Sequence, residues 1–281
     1  MYDILYFNKV KWTRKMQEFY LDLKKGKMNV IRFGNGKKHL IIIPGITLSG
    51  LSNRGKEIAT LYKIFSEKYD VCLIEQMRIL PENYSVADMA DDLFEAMNAL
   101  EINSADMIGM SLGGMIGQYM AINHPEKVEK LVICSSASRI NKPYNEVFEE
   151  WISLAKKEDV RMINHKMFEK VYSPGYYEKY KDVFESMENI GEKKDCRRFE
   201  ILSKAVLNMS SYGELEMIKC PVFVIGAEKD EALGIEASKE IAQKLNCKFF
   251  EYKNYGHAVY DEAEDYKKRI LDFLEETADE K

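Results

Sequence analysis

Ser111 stands in Gly109-Met110-Ser111-Leu112-Gly113, directly after an apolar run and at the head of a Gly-rich stretch with helical spacing. A strand that turns at once into a helix forces its corner residue into a strained backbone conformation, and side chains two positions to either side collide with the turn unless they are hydrogen. The two glycines meet that demand, so the pattern predicts a serine hydroxyl at the tip of a sharp elbow, open to solvent, substrate and a base. A hydroxyl is a weak nucleophile at neutral pH and needs that base. Four histidines are candidates. His39 begins a strand-like run, His165 lies in a helical stretch, and His124 ends the helix that starts at the elbow, roughly 18 Å away at 1.5 Å per residue. His257, in Tyr255-Gly256-His257-Ala258, follows the last strand-like run and precedes the last helix. A parallel sheet puts that loop on the same edge as Ser111, so His257 is the expected base. Holding it in one tautomer takes a carboxylate. Asp230, in Ala227-Glu228-Lys229-Asp230-Glu231, follows the apolar run Pro221 to Gly226 and is the expected partner, with Glu228 and Glu231 as local alternatives.

These residues need a sheet with its carboxyl ends on one side. Apolar runs bounded by turn residues alternate with amphipathic stretches of helical length, the pattern of a mostly parallel sheet flanked by helices, an α/β class fold. Phe19 to Lys24 and Asn29 to Phe33 read as an antiparallel pair turning at Lys25-Gly26-Lys27. His39 to Ile43, Tyr69 to Ile74, Ala105 to Met110, Val128 to Ser135, Pro221 to Gly226 and Lys248 to Tyr252 supply further strands. Helices are predicted over Asn53–Glu67, Val86–Leu100, Leu112–His124, Ile235–Leu245 and Glu262–Thr277. The alternation stops between Arg139 and Gly213, where four helices are predicted instead: Tyr144–Lys157, Val160–Val171, Pro174–Asn189 and Arg197–Met209. An all-helical block inserted after the sixth strand reads as a lid, which divides the chain into a core of residues 1–138 and 213–281 and a lid of residues 139–212.

The strand–elbow–helix around Ser111, the alternation on both sides and the helical insertion together resemble the α/β-hydrolase superfamily, over nearly the whole chain from Phe19 onward. The order Ser111, Asp230, His257 matches the order of nucleophile, acid and histidine in that family. The resemblance implies an oxyanion hole made by the N–H of Leu112, next to the nucleophile, and a second N–H from the loop Pro44-Gly45-Ile46-Thr47-Leu48-Ser49-Gly50 after the third strand. Many members carry His-Gly there. Pro44-Gly45 departs from this and leaves the donor open between Ile46, the first choice, and Thr47, whose hydroxyl could also contact substrate. Arg78, in Glu75-Gln76-Met77-Arg78, stands where relatives often have an Asp-x-x-Arg-type sequence, which implies a structural ion pair beneath the site, with contact to a substrate carboxylate as the other role.

The balance of 41 basic and 46 acidic residues, net −5, with both signs interspersed, argues against nucleic acid or an anionic membrane as partner. No membrane span is expected, since nowhere do 18 apolar residues run together, and Met1 to Tyr6 lacks a basic region followed by an apolar core. Five widely spaced cysteines suit reduced thiols. The expectation is a cytoplasmic protein. Between Arg139 and Tyr212, 14 basic residues face 13 acidic ones, so the lid offers no field for polyanions. Its large apolar side chains mostly hold its own helices together, but Trp151, Phe168 and Tyr172 are expected along the substrate wall with Thr47. The predicted function is a serine hydrolase that cleaves a small to medium, modestly hydrophobic carboxylic ester through an acyl-enzyme, with no metal or organic cofactor. The same residues could serve a lyase or carbon–carbon bond hydrolase acting on a small carboxylated metabolite, favoured if several insertion arginines, such as Arg139, Arg161, Arg197 or Arg198, turned toward Ser111 to hold carboxylates. A noncatalytic ligand-binding protein is the reading from another class.

Overall fold

The computed structural model describes residues 16–276; Thr277, the last residue of the predicted C-terminal helix, and Met1 to Tyr6 lie outside them. Among the described residues eight strands form one sheet: β1 (Gln17–Leu23), β2 (Gly26–Phe33), β3 (Lys38–Ile43), β4 (Tyr69–Ile74), β5 (Ala105–Met110), β6 (Val128–Cys134), β7 (Val222–Lys229) and β8 (Lys248–Gly256). Their order is β1-β2-β4-β3-β5-β6-β7-β8. The pairs β1–β2 and β2–β4 are antiparallel, and every pair from β4–β3 to β7–β8 is parallel. Parallel strands are covered on both faces and read as continuous apolar runs. Accordingly, every residue of β4 and β5 is buried. The polar intruder Asp106 is satisfied there by the Tyr69 hydroxyl at 3.0 Å.

Helices α1 (Gly55–Leu61), α2 (Val86–Ala99), α3 (Leu112–Asn123), α9 (Ile235–Leu245), α10 (Val259–Glu262) and α11 (Tyr266–Glu275) flank the sheet. One apolar core joins Leu93, Met97, Met115 and Met120 of α2 and α3 to Ile41 and Ile133. On the opposite face, Phe65, Tyr266, Ile270 and Leu274 pack on Ile42, Ile108 and Val132. Two of the flanking helices differ from prediction. Asn53–Glu67 shortens to α1 and a separate 3₁₀ turn at Lys63–Phe65. The last helix, predicted from Glu262, starts only at Tyr266 as α11, because Ala263 turns extended at φ −97° and ψ 119° and ends the separate short α10 there.

Between β6 and β7 lie α4 (Asn145–Lys156), α5 (Val160–Val171), α6 (Pro174–Lys179), α7 (Lys181–Met187) and α8 (Lys193–Leu207). The predicted helix Pro174–Asn189 is interrupted at Tyr180, φ −113° and ψ 21°, which gives α6 and α7. Helix α8 starts before the predicted Arg197, because Glu192 and Asp195 form a reciprocal cap there. The two ends of this insertion are pinned to each other. Ser211 N donates to Ser138 O at 2.8 Å, and Arg139 pairs with Ser210 in an isolated β-bridge. Gln118 of α3, fully buried, ties that base to the core: its Nε2 donates to Gly114 O and Ala137 O, and its Oε1 accepts from Ser211 Oγ.

Candidate active site

Three chemically capable residues each occupy the first position after a strand. Met110 ends β5 and Ser111 follows; Lys229 ends β7 and Asp230 follows; Gly256 ends β8 and His257 follows. Register keeps these ends on one edge, since Met110 lies level with Cys134 and Cys134 with Ile225.

Ser111 has φ 53° and ψ −119°, a region that L-residues avoid and that costs about 1–3 kcal/mol. Packing enforces it. A Cβ on Gly113 would fall 2.0 Å from Ile43 O, and one on Gly109 2.3 Å from Gly113 O, so only hydrogen fits where α3 crosses the ends of β3 and β5. The elbow's backbone is pinned on both sides: Ser111 N donates to Cys134 O at 2.9 Å, and Ser136 Oγ donates to Ser111 O at 2.7 Å.

His257 Nδ1 lies 2.8 Å from Asp230 Oδ2, with both side chains almost wholly buried. The other carboxylate oxygen of Asp230 accepts from Ala232 N and Leu233 N, each at 2.9 Å. Burial alone would raise the Asp230 pKa. The His257 charge and hydrogen bond, with the Leu233 and Ala232 N–H groups, outweigh it and hold the carboxyl below its ordinary range. The local alternatives are engaged elsewhere: Glu228 accepts from Asn254 N and Glu231 pairs with Lys170. So are the other histidines. His124 meets Asp91 at 2.8 Å and stacks on Phe94, His165 meets Glu188 at 2.7 Å, and His39 approaches Asp70 at 3.7 Å. The structure joins Asp230 to His257 and draws no hydrogen bond from His257 to Ser111; contacts of that kind tighten when a reacting group occupies the site.

Leu112 opens α3, and the first N–H groups of a helix have no intrahelical partner. The loop after β3 runs against Ser111: a Cβ on Gly45 would sit 3.1 Å from its Cβ and 3.7 Å from its Oγ. Ile46 and Thr47 follow, partly exposed. Two side chains hold this loop that sequence reasoning did not assign. Gln76 Nε2 donates to Pro44 O at 3.0 Å, and the buried Glu75 accepts from Leu51 N and Asn29 Nδ2, both at 3.0 Å. A polar pair closing the apolar run of β4 was the signal available for them.

Of the residues expected along the substrate wall, Trp151 packs between Phe148 and Phe199, and Phe168 between Tyr172 and Phe184, inside the insertion. Tyr172 spends its hydroxyl on Asp261 Oδ2 at 3.0 Å. The ion pair expected of Arg78 is corrected: among the described residues it has none, and its guanidinium lies over the Tyr20 ring, 5.9 Å from the centroid. Arg139, Arg161 and Arg197 pair with Glu240, Glu188 and Glu82, respectively. Arg198 alone of the four turns to the core, donating to Met77 O and Gln76 O. No helix among the described residues is long and apolar enough to cross a membrane.

Comparison with known proteins agrees with this architecture. The chain is 26% identical over 210 residues to a provisionally named carbamate hydrolase, RutD, from Caulobacter sp. (strain K31), covering 71% of this chain and 78% of that protein. It is 21% identical over 208 residues to 3-oxoadipate enol-lactonase 2 of Acinetobacter baylyi, covering 72% and 76%. The crystal structure of the enol-lactonase from Burkholderia xenovorans LB400 superposes with a TM-score of 0.81 at 20% identity, over 92% of this chain and all of that one. A family model for the alpha/beta hydrolase fold matches residues 38–264, and with that match spanning most of its length the chain belongs to the α/β-hydrolase fold family.

Proposed function

We propose that this protein is a serine hydrolase that cleaves a small to medium, modestly hydrophobic carboxylic ester, open-chain or cyclic, through an acyl-enzyme. The observation that carries this reading is the buried 2.8 Å pair of Asp230 and His257 on the sheet edge that also bears the strained Ser111 elbow. Ser111 Oγ attacks the acyl carbon. His257 takes its proton and passes it to the leaving oxygen, so that the bond to the leaving group breaks as the acyl-enzyme forms; water then repeats the sequence. Asp230 fixes the imidazole with Nδ1–H toward itself and the basic nitrogen free. The N–H groups of Leu112 and Ile46 hold the oxyanion. The helical insertion serves as the lid over this edge, and the five free cysteines suit a reducing, cytoplasmic setting. The similarity to proteins named for carbamate and enol-lactone hydrolysis supports acyl chemistry, since both names describe attack at a carbonyl bearing a leaving group.

Beside the loop after β3 lies a cavity of about 230 Å³ whose wall brings Arg78, Lys194 and Arg198 together with Glu75 and Asp195 and includes none of Ser111, Asp230 and His257, so it gives no preference for a carboxylated substrate.

Turnover of p-nitrophenyl acetate and butyrate, γ-butyrolactone and an aryl carbamate by the protein and its Ser111→Ala variant tests the proposal. Ester hydrolysis with a burst, lost at least ~10³-fold in the variant, is the expected result. Fluorophosphonate labelling of Ser111 without turnover of any of these would move the reading to the alternatives, and neither labelling nor turnover would leave a binding protein.

A further inference from the structure

The loop that carries His257 is bonded to the helical insertion on both sides of the histidine. Ala258 N donates to Val171 O at 2.8 Å. On the other side, one carboxylate gathers three donors: Glu262 Oε1 accepts from Ser173 N at 2.8 Å and from Gly256 N at 3.3 Å, and Oε2 accepts from Ser173 Oγ at 2.6 Å. Val171 ends α5, Tyr172 and Ser173 are extended, and Ser173 caps α6, so the partner is the link between two insertion helices. The approach is close enough that a Cβ on Gly256 would lie 2.4 Å from Ser173 N and 2.7 Å from the Tyr172 carbonyl carbon. Tyr172 adds its hydroxyl bond to Asp261, one residue before Glu262.

We propose that Glu262 is a positioning residue: it latches the α5–α6 link of the insertion to the backbone beside His257, and so fixes where the imidazole stands over the sheet edge. The inference rests on His257 acting as the general base. The backbone at His257 has few other restraints of this kind, because β8 is the outer strand of the sheet and its end has a strand neighbour on the β7 side only. With the latch in place, Gly256 is tied through Glu262 to Ser173 while Ala258 bonds Val171 directly, and the Asp230 bond sets only the rotation of the ring. Releasing it lets the loop drift. Reacting groups tolerate little of that, since a misplacement of about 1 Å costs on the order of 10² in rate.

The bond pattern makes a sharp distinction between two variants. In Glu262→Gln the amide oxygen still accepts from Ser173 N and Gly256 N, and the amide NH₂ donates to Ser173 Oγ, which reverses its own hydroxyl. Glu262→Ala loses all three bonds. With p-nitrophenyl butyrate, and rates expressed per serine titrated by fluorophosphonate, Glu262→Ala is expected to lose about 10²-fold in kcat. Its KM should stay within about threefold, while Glu262→Gln remains near the parent. The far-downfield proton resonance of the His257–Asp230 bond should broaden in Glu262→Ala and persist in Glu262→Gln. Ser173→Ala, a milder change on the insertion side, should lower kcat less and add little to Glu262→Ala, as expected of two residues in one bond network. An unchanged kcat and resonance in Glu262→Ala overturns the proposal, as does a Glu262→Gln variant as impaired as Glu262→Ala, since charge and not the latch would then matter. Absence of Ser111-dependent turnover in the parent protein would count against the general-base reading instead. The resonance alone then decides the latch, broadened in Glu262→Ala if it exists and unchanged if it does not.

Discussion

Replacing Asp230 by Asn isolates what the carboxylate does, because the surrounding backbone dictates how the amide must sit. Ala232 N and Leu233 N both point at Oδ1 at 2.9 Å, so the amide oxygen has to take that position; an NH₂ there would face two donors. The NH₂ is thereby left at Oδ2, 2.8 Å from His257 Nδ1, and donates to it. The imidazole then keeps its proton on the other nitrogen and can no longer receive one from Ser111. A wrong tautomer of this kind in a serine–histidine–aspartate site costs about 10⁴ in kcat. Folding should suffer far less. All three hydrogen bonds survive in neutral form, and the difference between charged and neutral bonds is about 1–2 kcal/mol, or a Tm lower by about 2–8 °C. Stability also acquires a pH signature. A carboxyl held below its unfolded pKa of about 3.9 contributes stability above that pH, lost as pH falls through the folded value. The Asn variant has nothing there to titrate, so its unfolding free energy should fall less steeply than the parent's below about pH 4. Steady-state kinetics on a chromogenic ester, with thermal melts from pH 3 to 7, measure both effects. A variant within about tenfold of the parent in kcat would refute the tautomer argument, and one that fails to fold would refute the placement of the amide.

Two further substitutions probe how the elbow and the oxyanion loop are held. Gly113→Ala must open the gap to Ile43 O by about 1.4 Å to reach ordinary contact, so stability should fall by about 1–3 kcal/mol and kcat by about 10²-fold, read from urea titration and ester turnover; a neutral effect would mean that the close approach of α3 to β3 is unnecessary. Gln76→Leu removes the donor to Pro44 O and leaves that carbonyl buried and unpaired, a cost of about 1–3 kcal/mol. Its kcat should drop with KM little changed, because an oxyanion donor acts on the transition state, and equal changes in both would contradict a role in holding the oxyanion loop.

The sheet was legible in the sequence because its strands are covered on both faces. Tyr69–Ile74 and Ala105–Met110 are predicted and observed with the same limits, since nothing polar interrupts them except groups that pair internally. The helical breaks were not legible. The interruption at Tyr180 has no glycine or proline to mark it, and the ring contacts of Tyr176, Tyr180 and Phe184 form only once the insertion has folded. The site divides in the same way. Ser111 could be read because its steric demands fall on neighbours in the chain, Gly109 and Gly113. Asp230 could be separated from Glu228 and Glu231 only in three dimensions, where a single residue's difference decides which carboxylate meets Nδ1 and which faces Asn254 or Lys170. Ser136 and Glu262 were invisible, and Gln76 was marked only as a polar residue closing an apolar run, for a further reason: each acts on the backbone of a residue distant in the chain, and nothing in its local sequence says whose carbonyl or N–H it will meet.

That contrast bears on how such a site can change its substrate. The direct contacts of Ser111 belong to the core, through Cys134 O, Ser136 Oγ, Ile43 O and the loop held by Gln76, and the insertion reaches them only through Arg198, which donates to Gln76 and Met77. His257 is placed differently, by Asp230 from the core and by Val171 and Ser173 from the insertion. Sequence change in the insertion is therefore least constrained on the side away from the α5–α6 link. The segment from α7 to α8 meets that condition: it carries the exposed Val183 and Ile190 and passes Leu48 of the oxyanion loop at Gly191. With the insertion as the proposed lid, substrate preference should be easier to alter through residues of α7 and the Gly191 turn than through Arg198, Tyr172 or Ser173, where any gain in fit is offset by displacement of Gln76 or of His257.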